Sequence, residues 1–380
     1  MEKYSAFRDP GTGIQPFLTP VPPVGSNALL TNLTLPLRYV VGIIRTLLIF
    51  ILAALHIVLV EGVCLILQPI PPLHRLIAGI LTSITCRSIL LFLGLWWIPV
   101  EYVTKKRGRN ASKPQPWKPK AGDIIVANWS SWIELLWLAF RFNPVFVLPV
   151  SEPAPPASSN IDSAAISRTP GRRTGTGSAA LSTPTRTPTK RRPIVGFCTT
   201  SLLKAITFTG QAPLSTSDVD DSSYSSLEDL RRSVDRPIVI FPECTTTNNR
   251  GLLKFADVFK GIKVPVKDFQ VFIACFRYDP PTAFSPTATH SIPTQMNPLA
   301  HLFTLASSFK PAPLSVRLLS ASEGPSSPLF MASEVITADV GDDILAAVCE
   351  GLILQLGKFK RLTMGWEDKA SFLEFYRQKR

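Results

Sequence analysis

The sequence predicts an α/β fold: a mixed sheet flanked by helices and preceded by an N-terminal membrane helical hairpin. Three observations predict it. Short apolar runs bounded by turn residues alternate with helical segments over the C-terminal two thirds of the chain. Hydrophobic residues make up 46% of the 380 residues, enough for a sizeable core with apolar sequence left over. Near the N-terminus, the 22 residues from Tyr39 to Val60 contain Arg45 as their only fixed charge.

Taken in order, residues 1–37 are expected to be a disordered segment and residues 38–100 the hairpin. At about 1.5 Å per residue, a helix over Tyr39–Val60 is long enough to cross a hydrocarbon core of about 30 Å. A second apolar run, Leu76–Pro99, carries Arg87 near its middle. A charge there costs roughly 2.5–3.5 kcal/mol on insertion scales, so this run either crosses or lies in one leaflet. The proline-marked "QPIPPLHR" between them is a turn, and Trp96 and Trp97 suit an interface at the exit. Basic residues flank both outer ends, Arg38 on one side and the linker 101–122 on the other, which places both ends in the cytosol.

The α/β domain is expected over 123–150 and 194–380. Strands are read at "DIIVAN", "PVFVLP", "PIVIFP", "QVFIACFR" and "LSVRLL", and helices at "SWIELLWLAFRF", "SLEDLRRSV", "GDDILAAVCEGLILQL" and the closing "WEDKASFLEFYRQKR". Residues 151–193 interrupt it with seven Lys or Arg, two acids and almost no large apolar side chain, the composition of a disordered basic insert. Thr169, Thr183 and Thr187 in this insert resemble proline-directed kinase sites, although a solvated basic loop explains the same residues. The Pro-rich stretch 279–313 has enough apolar residues to pack in part.

Composition excludes several classes. The six cysteines are scattered without C-x-x-C spacing, against both a zinc site and a secreted disulfide framework, and the four histidines are equally dispersed. No metal or other cofactor is expected. The net charge of +13 suits an anionic lipid surface better than nucleic acid, because the basic residues cluster beside the hairpin and in the insert without interleaved aromatics. Oligomeric state is left open.

Two stretches carry the candidate chemistry. "NWSSWIE", Asn128–Glu134, joins a strand to a helix through a polar turn, and "FPECTTTNNRG", Phe241–Gly251, follows a strand with Pro-Glu and a hydroxyl-rich loop. The second resembles the acceptor-binding motif of the glycerolipid acyltransferases, which move a fatty acyl group from acyl-CoA to a lysophospholipid or glycerol phosphate. In its longer form it is most similar to a fungal branch of lysophosphatidic acid acyltransferases associated with the endoplasmic reticulum and lipid droplets. The resemblance covers residues 38–150, 193 to about 281 and the C-terminal helices, and it includes a strand ending in Phe276-Arg277-Tyr278.

That resemblance implies a membrane-bound enzyme with acyl-CoA as co-substrate, a lysophospholipid acceptor and a catalytic domain facing the cytosol. It puts Trp129 where the family's general-base histidine stands and Glu134 where its aspartate stands. Tryptophan cannot take a proton, although it is usual at this position in the fungal branch. Glu134 is thus a candidate general base, with Trp129, Asn128, Ser130 and Ser131 lining the site. The residues themselves support a second role, because Ser131-x-x-Glu134 ahead of an apolar helix also fits a capping box. Glu243, Cys244, Thr245, Thr246 and Arg250 are the implied substrate-binding set. Cys244 and Thr246 replace a usual Gly and Arg, so Arg250 is the candidate phosphate partner; Asn249 and Ile273 replace a usual Gly and Pro. A non-catalytic lipid or acyl-CoA binding protein on the same fold is the alternative, favoured by the missing histidine.

Overall fold

A computed structural model describes residues 4–23, 28–104, 115–153, 191–218, 223–282, 284–309, 313–328, 330–336 and 342–378. Phosphorylation sites and most of the insert expected over 151–193 lie outside these residues. All five expected principal strands form. In chain order the strands are β1 (Val100–Val103), β2 (Ile124–Ala127), β3 (Val145–Ser151), β4 (Ile194–Thr200), β5 (Leu214–Ser215), β6 (Ser223–Tyr224), β7 (Ile238–Ile240), β8 (Gly251–Leu252), β9 (Val271–Tyr278), β10 (Leu314–Leu319) and β11 (Lys360–Arg361). Among the described residues the main sheet runs β1-β10-β9-β2-β7-β3-β4-β6, with β5 alongside β3. Its centre, β9-β2-β7-β3, is parallel, while β10 and β4 join antiparallel. The sheet is therefore mixed.

Alternation along the central strands sorts side chains into two cores. Ile125, Ala127, Val239, Phe272, Ala274 and Phe276 face one side, where they meet α3 (Ile133–Phe142) and the hairpin. Ile124, Val126, Ile238, Ile240, Val271 and Ile273 face the other, under α5 (Leu227–Ser233) and α7 (Ile344–Gly357). The Asp343 carboxylate caps α7 by accepting from the Ala346 N–H at 2.9 Å, as its position ahead of the apolar run predicts.

Two expected boundaries are corrected. Part of the 101–122 linker belongs to the sheet, because Val100–Val103 pairs in parallel with Val316–Leu319, and Trp117 is buried with its indole N–H donating to the Leu319 carbonyl. The 1–37 segment is not simply disordered. Phe7 and Phe17 are buried against Phe372 and Leu373 of α8 (Trp366–Gln378), and Asp9 accepts from the Thr363 backbone N–H and hydroxyl at 2.8 and 2.6 Å. These aromatics have no helical or strand period, so composition alone reads them as linker.

The hairpin begins earlier than expected, at Ala28. Its first helix α1 (Ala28–His56) and second helix α2 (Pro71–Phe92) are long and apolar enough to cross a membrane by length and composition. One stripe of α1 lies on the α/β domain. Arg38 and Arg45 donate to the carbonyls of Ser307 and Ser308 just after α6 (Leu299–Ala306), at 3.4 and 2.8 Å, and Ile49 is buried. A Cβ at Gly42 would sit 2.9 Å from Ser307, so only glycine permits this approach. Away from that stripe, Leu37, Ile43, Ile44, Leu47 and Ile51 are exposed. Arg87, the costly charge of the second run, donates to the carbonyls of Leu95 and Trp96.

Candidate active site

The two candidate loops leave the C-terminal ends of the adjacent parallel strands β2 and β7, the place where open α/β sheets commonly bind ligands. A buried carboxyl clamps each of two successive amides in the first loop. The Trp129 N–H donates to Glu243 Oε1 at 3.0 Å, and the Ser130 N–H donates to the two Glu134 oxygens at 3.0 and 3.1 Å. Glu243 also accepts from the Leu253 N–H at 3.2 Å, so it ties the first loop to both ends of the second.

The expected capping box does not form. Helix α3 starts at Ile133 with Trp132 as its cap residue, which puts Glu134 second in the helix instead of third. Its carboxyl therefore reaches chiefly to Ser130, and the Ser131 hydroxyl accepts from the Ile133 N–H at 3.4 Å.

Most candidate site residues are brought together, with their polar atoms engaged in holding the loops. Asn128 exchanges both amide atoms with the Phe276 backbone at 2.8 and 2.9 Å, extending β2 towards β9. Asn249 donates to Ser130 Oγ and the Phe276 carbonyl and accepts from the Tyr278 N–H. Its φ of 61° lies in the left-handed region, which Asn tolerates better than most residues. Cys244 is buried at a φ of 56°. Thr245 and Thr246 donate their hydroxyls to the carbonyls of Gln211 and His290, at 2.8 and 2.7 Å. Arg250 stands apart from this cluster, exposed.

Burial governs the electrostatics. Glu243 is pushed up to about 8 by burial, against the pull of its two N–H donors. Glu134 is also held well above the usual carboxylate range by burial, with the nearby Glu243 adding to the shift and the loop amides opposing it. Burial thus disfavours the charged form of both carboxyls, and the oxygens of both are engaged by loop amides. Tyr278 lies beside Glu134 and Ser131, and burial raises its phenol. The Trp129 indole N–H is buried without a hydrogen-bond partner among the described residues, while its ring stacks on Phe241 with centroids 4.9 Å apart.

Two histidines that sequence reasoning passed over flank the same loops. The His290 backbone N–H donates to the Ser130 carbonyl at 2.8 Å, so with the Thr246 contact it is tied to both motifs. His301 stacks on it with centroids 4.8 Å apart. The Trp132 indole donates to His301 Nδ1 at 2.9 Å, which leaves Nε2 to donate to the Thr287 carbonyl. Both His301 nitrogens are engaged and burial depresses it to about 3. Lys369 of α8, fully buried, donates to the Thr246 and Ser291 carbonyls and is lowered by burial to about 7. No local signal marks them: His290 lies among Thr287, Thr289 and Ser291, and Lys369 follows Glu367 and Asp368.

Beside the loops runs an apolar groove of about 660 Å³ between the hairpin, α3, α4 (Leu202–Phe208) and α6. Ile49, Phe50, Cys86, Leu136, Ile206 and Leu302 line it, with Trp132, Gln211 and Asn297 at its polar positions. It adjoins a cleft of about 1190 Å³ that shares Phe50, Gln211 and Thr294 and is lined also by Tyr376 and Arg377. Arg250 lines neither. Among the described residues no group of His, Cys, Asp and Glu is placed to hold a metal ion.

No known family profile matches the sequence, and no curated protein matches it. Among solved structures, the fold is similar to the crystal structure of the 1-acyl-sn-glycerophosphate (LPA) acyltransferase PlsC from Thermotoga maritima, at 14% identity over 84% of this chain and 96% of that one, with a TM-score of 0.42. At that level of similarity, any assignment of chemistry rests on the residues of this chain.

Proposed function

We propose that the protein is an acyl-CoA-dependent O-acyltransferase that esterifies lysophosphatidic acid or a related lysophospholipid. The observation that carries this reading is the apolar groove whose polar positions are bonded to both motif loops: the Gln211 carbonyl accepts from Thr245, and Trp132 belongs to the first loop. Its volume lies within the roughly 300–1,000 Å³ of small-molecule sites, and its lining suits an acyl chain. The adjoining cleft offers Arg377 to an anionic head group. The exposed apolar face of α1 supports embedding of the hairpin in a membrane, and the flanking basic residues support a cytosol-facing domain; residence at the endoplasmic reticulum or on lipid droplets is proposed from the motif resemblance alone.

A non-catalytic lipid or acyl-CoA binding protein is the second reading, favoured by the engagement of Glu243, Thr245 and Thr246 in holding the fold. Purified protein in detergent, given acyl-CoA and a panel of lysophospholipids, is expected to release free CoA and form diacyl product. Binding of acyl-CoA without transfer to any acceptor would establish the second reading instead.

A further inference from the structure

Transfer of an acyl group to a hydroxyl needs a group that takes the hydroxyl proton. Trp129 has no basic atom, the Glu134 and Glu243 oxygens are occupied by the Ser130, Trp129 and Leu253 amides, and both nitrogens of His301 are engaged. His290 differs from all of them. Asn297 donates its amide nitrogen to the Thr207 and Thr209 carbonyls, at 2.8 and 2.7 Å, which turns its Oδ1 towards His290 Nε2. That contact fixes the proton on Nε2 and leaves Nδ1 an acceptor without a partner among the described residues. Both backbone bonds of His290 attach it to the motif loops, and Asn297 lines the apolar groove.

On the acyltransferase reading, we infer that His290 is the general base of this protein and Asn297 the positioning residue that sets its tautomer. His290 Nδ1 takes the proton of the acceptor hydroxyl as its oxygen attacks the thioester carbonyl carbon. The tetrahedral intermediate then collapses with cleavage of the C–S bond, and the departing CoA sulfur recovers the proton from Nδ1, so ester and free CoA form with no net change in the enzyme. The neutral imidazole is the active form, and the surroundings favour it. Burial lowers His290 and outweighs the opposing Asn297 contact, and Lys369 on α8 adds to the lowering. The stacked His301 on α6 is itself neutral, and the carboxyls Glu134 and Glu243, both raised by burial, sit on the two loops to which His290 is bonded.

The test compares wild type, His290→Gln and Asn297→Asp in detergent with acyl-CoA and lysophosphatidic acid. His290→Gln retains both backbone bonds to the loops, so acyl-CoA binding and Tm are expected to stay near wild type while kcat falls by roughly 10²- to 10⁴-fold. Asn297→Asp places an anion at Nε2 and stabilises the imidazolium; the acid limb of kcat/KM, set by loss of neutral His290, is expected to move up by about one pH unit or more. A folded His290→Gln with wild-type kcat, or an unmoved acid limb in Asn297→Asp, overturns the assignment while leaving the acyltransferase reading intact. If His290→Gln does not fold, Asn297→Asp decides alone. A wild type that binds acyl-CoA without transferring it removes both.

Discussion

The loop 241–252 and the segment 284–297 sit side by side in this protein and contrast in every other respect. The first is legible, a long block of characteristic residues after a strand; the second belongs to the Pro-rich stretch 279–313, expected only to pack in part. In the folded chain the loop's polar side chains mostly hold the backbone, with Glu243 on two amides and Thr245 and Thr246 on two carbonyls. That stretch brings His290, whose Nδ1 has no hydrogen-bond partner among the described residues. A recognisable block therefore records a demanding backbone geometry, whereas a proton acceptor needs only one side chain delivered to the right place.

Glu243→Ala tests that contrast most severely. It leaves the Trp129 and Leu253 amides buried without an acceptor, at about 1–3 kcal/mol each, so a loss on the order of 3 kcal/mol or more is expected in urea unfolding. Stability within 1 kcal/mol of wild type would mean that the loop is held by something else. The same carboxyl gives a pH signature. Its folded-state value, about 8, exceeds the ordinary 4.5, so its stabilising share is full below about 4.5 and is lost as pH rises through 8. Glu243→Gln should flatten the fall in stability across that window, and an unchanged slope would assign the fall to other groups.

Arg377→Ala and Arg250→Ala compare the cleft with the loop. Arg377 lines the cleft and Arg250 does not, so the first is expected to raise the acceptor KM for phosphate-bearing lysolipids about tenfold, the effect of one charge-assisted hydrogen bond, and the second less than threefold. The reverse order would return the phosphate site to the motif loop.

Thr246→Val removes the bond to the His290 carbonyl and is expected to cost about 1 kcal/mol while the acceptor KM holds. A KM rise without loss of stability would make Thr246 a substrate contact. The smallest effect is expected from Glu134→Gln. Gln closely matches Glu in shape and can still accept from Ser130, so kcat should stay within about threefold. A hundredfold fall would make Glu134 the proton carrier and take that role from His290.

Fold class, the five principal strands, the helical hairpin and the two loops were legible in the sequence because each depends on local pattern: period in the strands and helices, length in the hairpin, and Pro-Glu after an apolar run. The capping box at Ser131 was misread for a local reason as well, since the helix begins one residue later than the spacing suggests. What tertiary structure alone decided is which polar groups meet. Asn128 and Asn249 grip the end of β9, the N-terminal aromatics pack on α8, and His290 meets Asn297, Ser130 and Thr246. The sequence determined the frame because periodicity is a property of neighbours; it could not determine protonation, because burial and partner contacts come from residues up to hundreds of positions away.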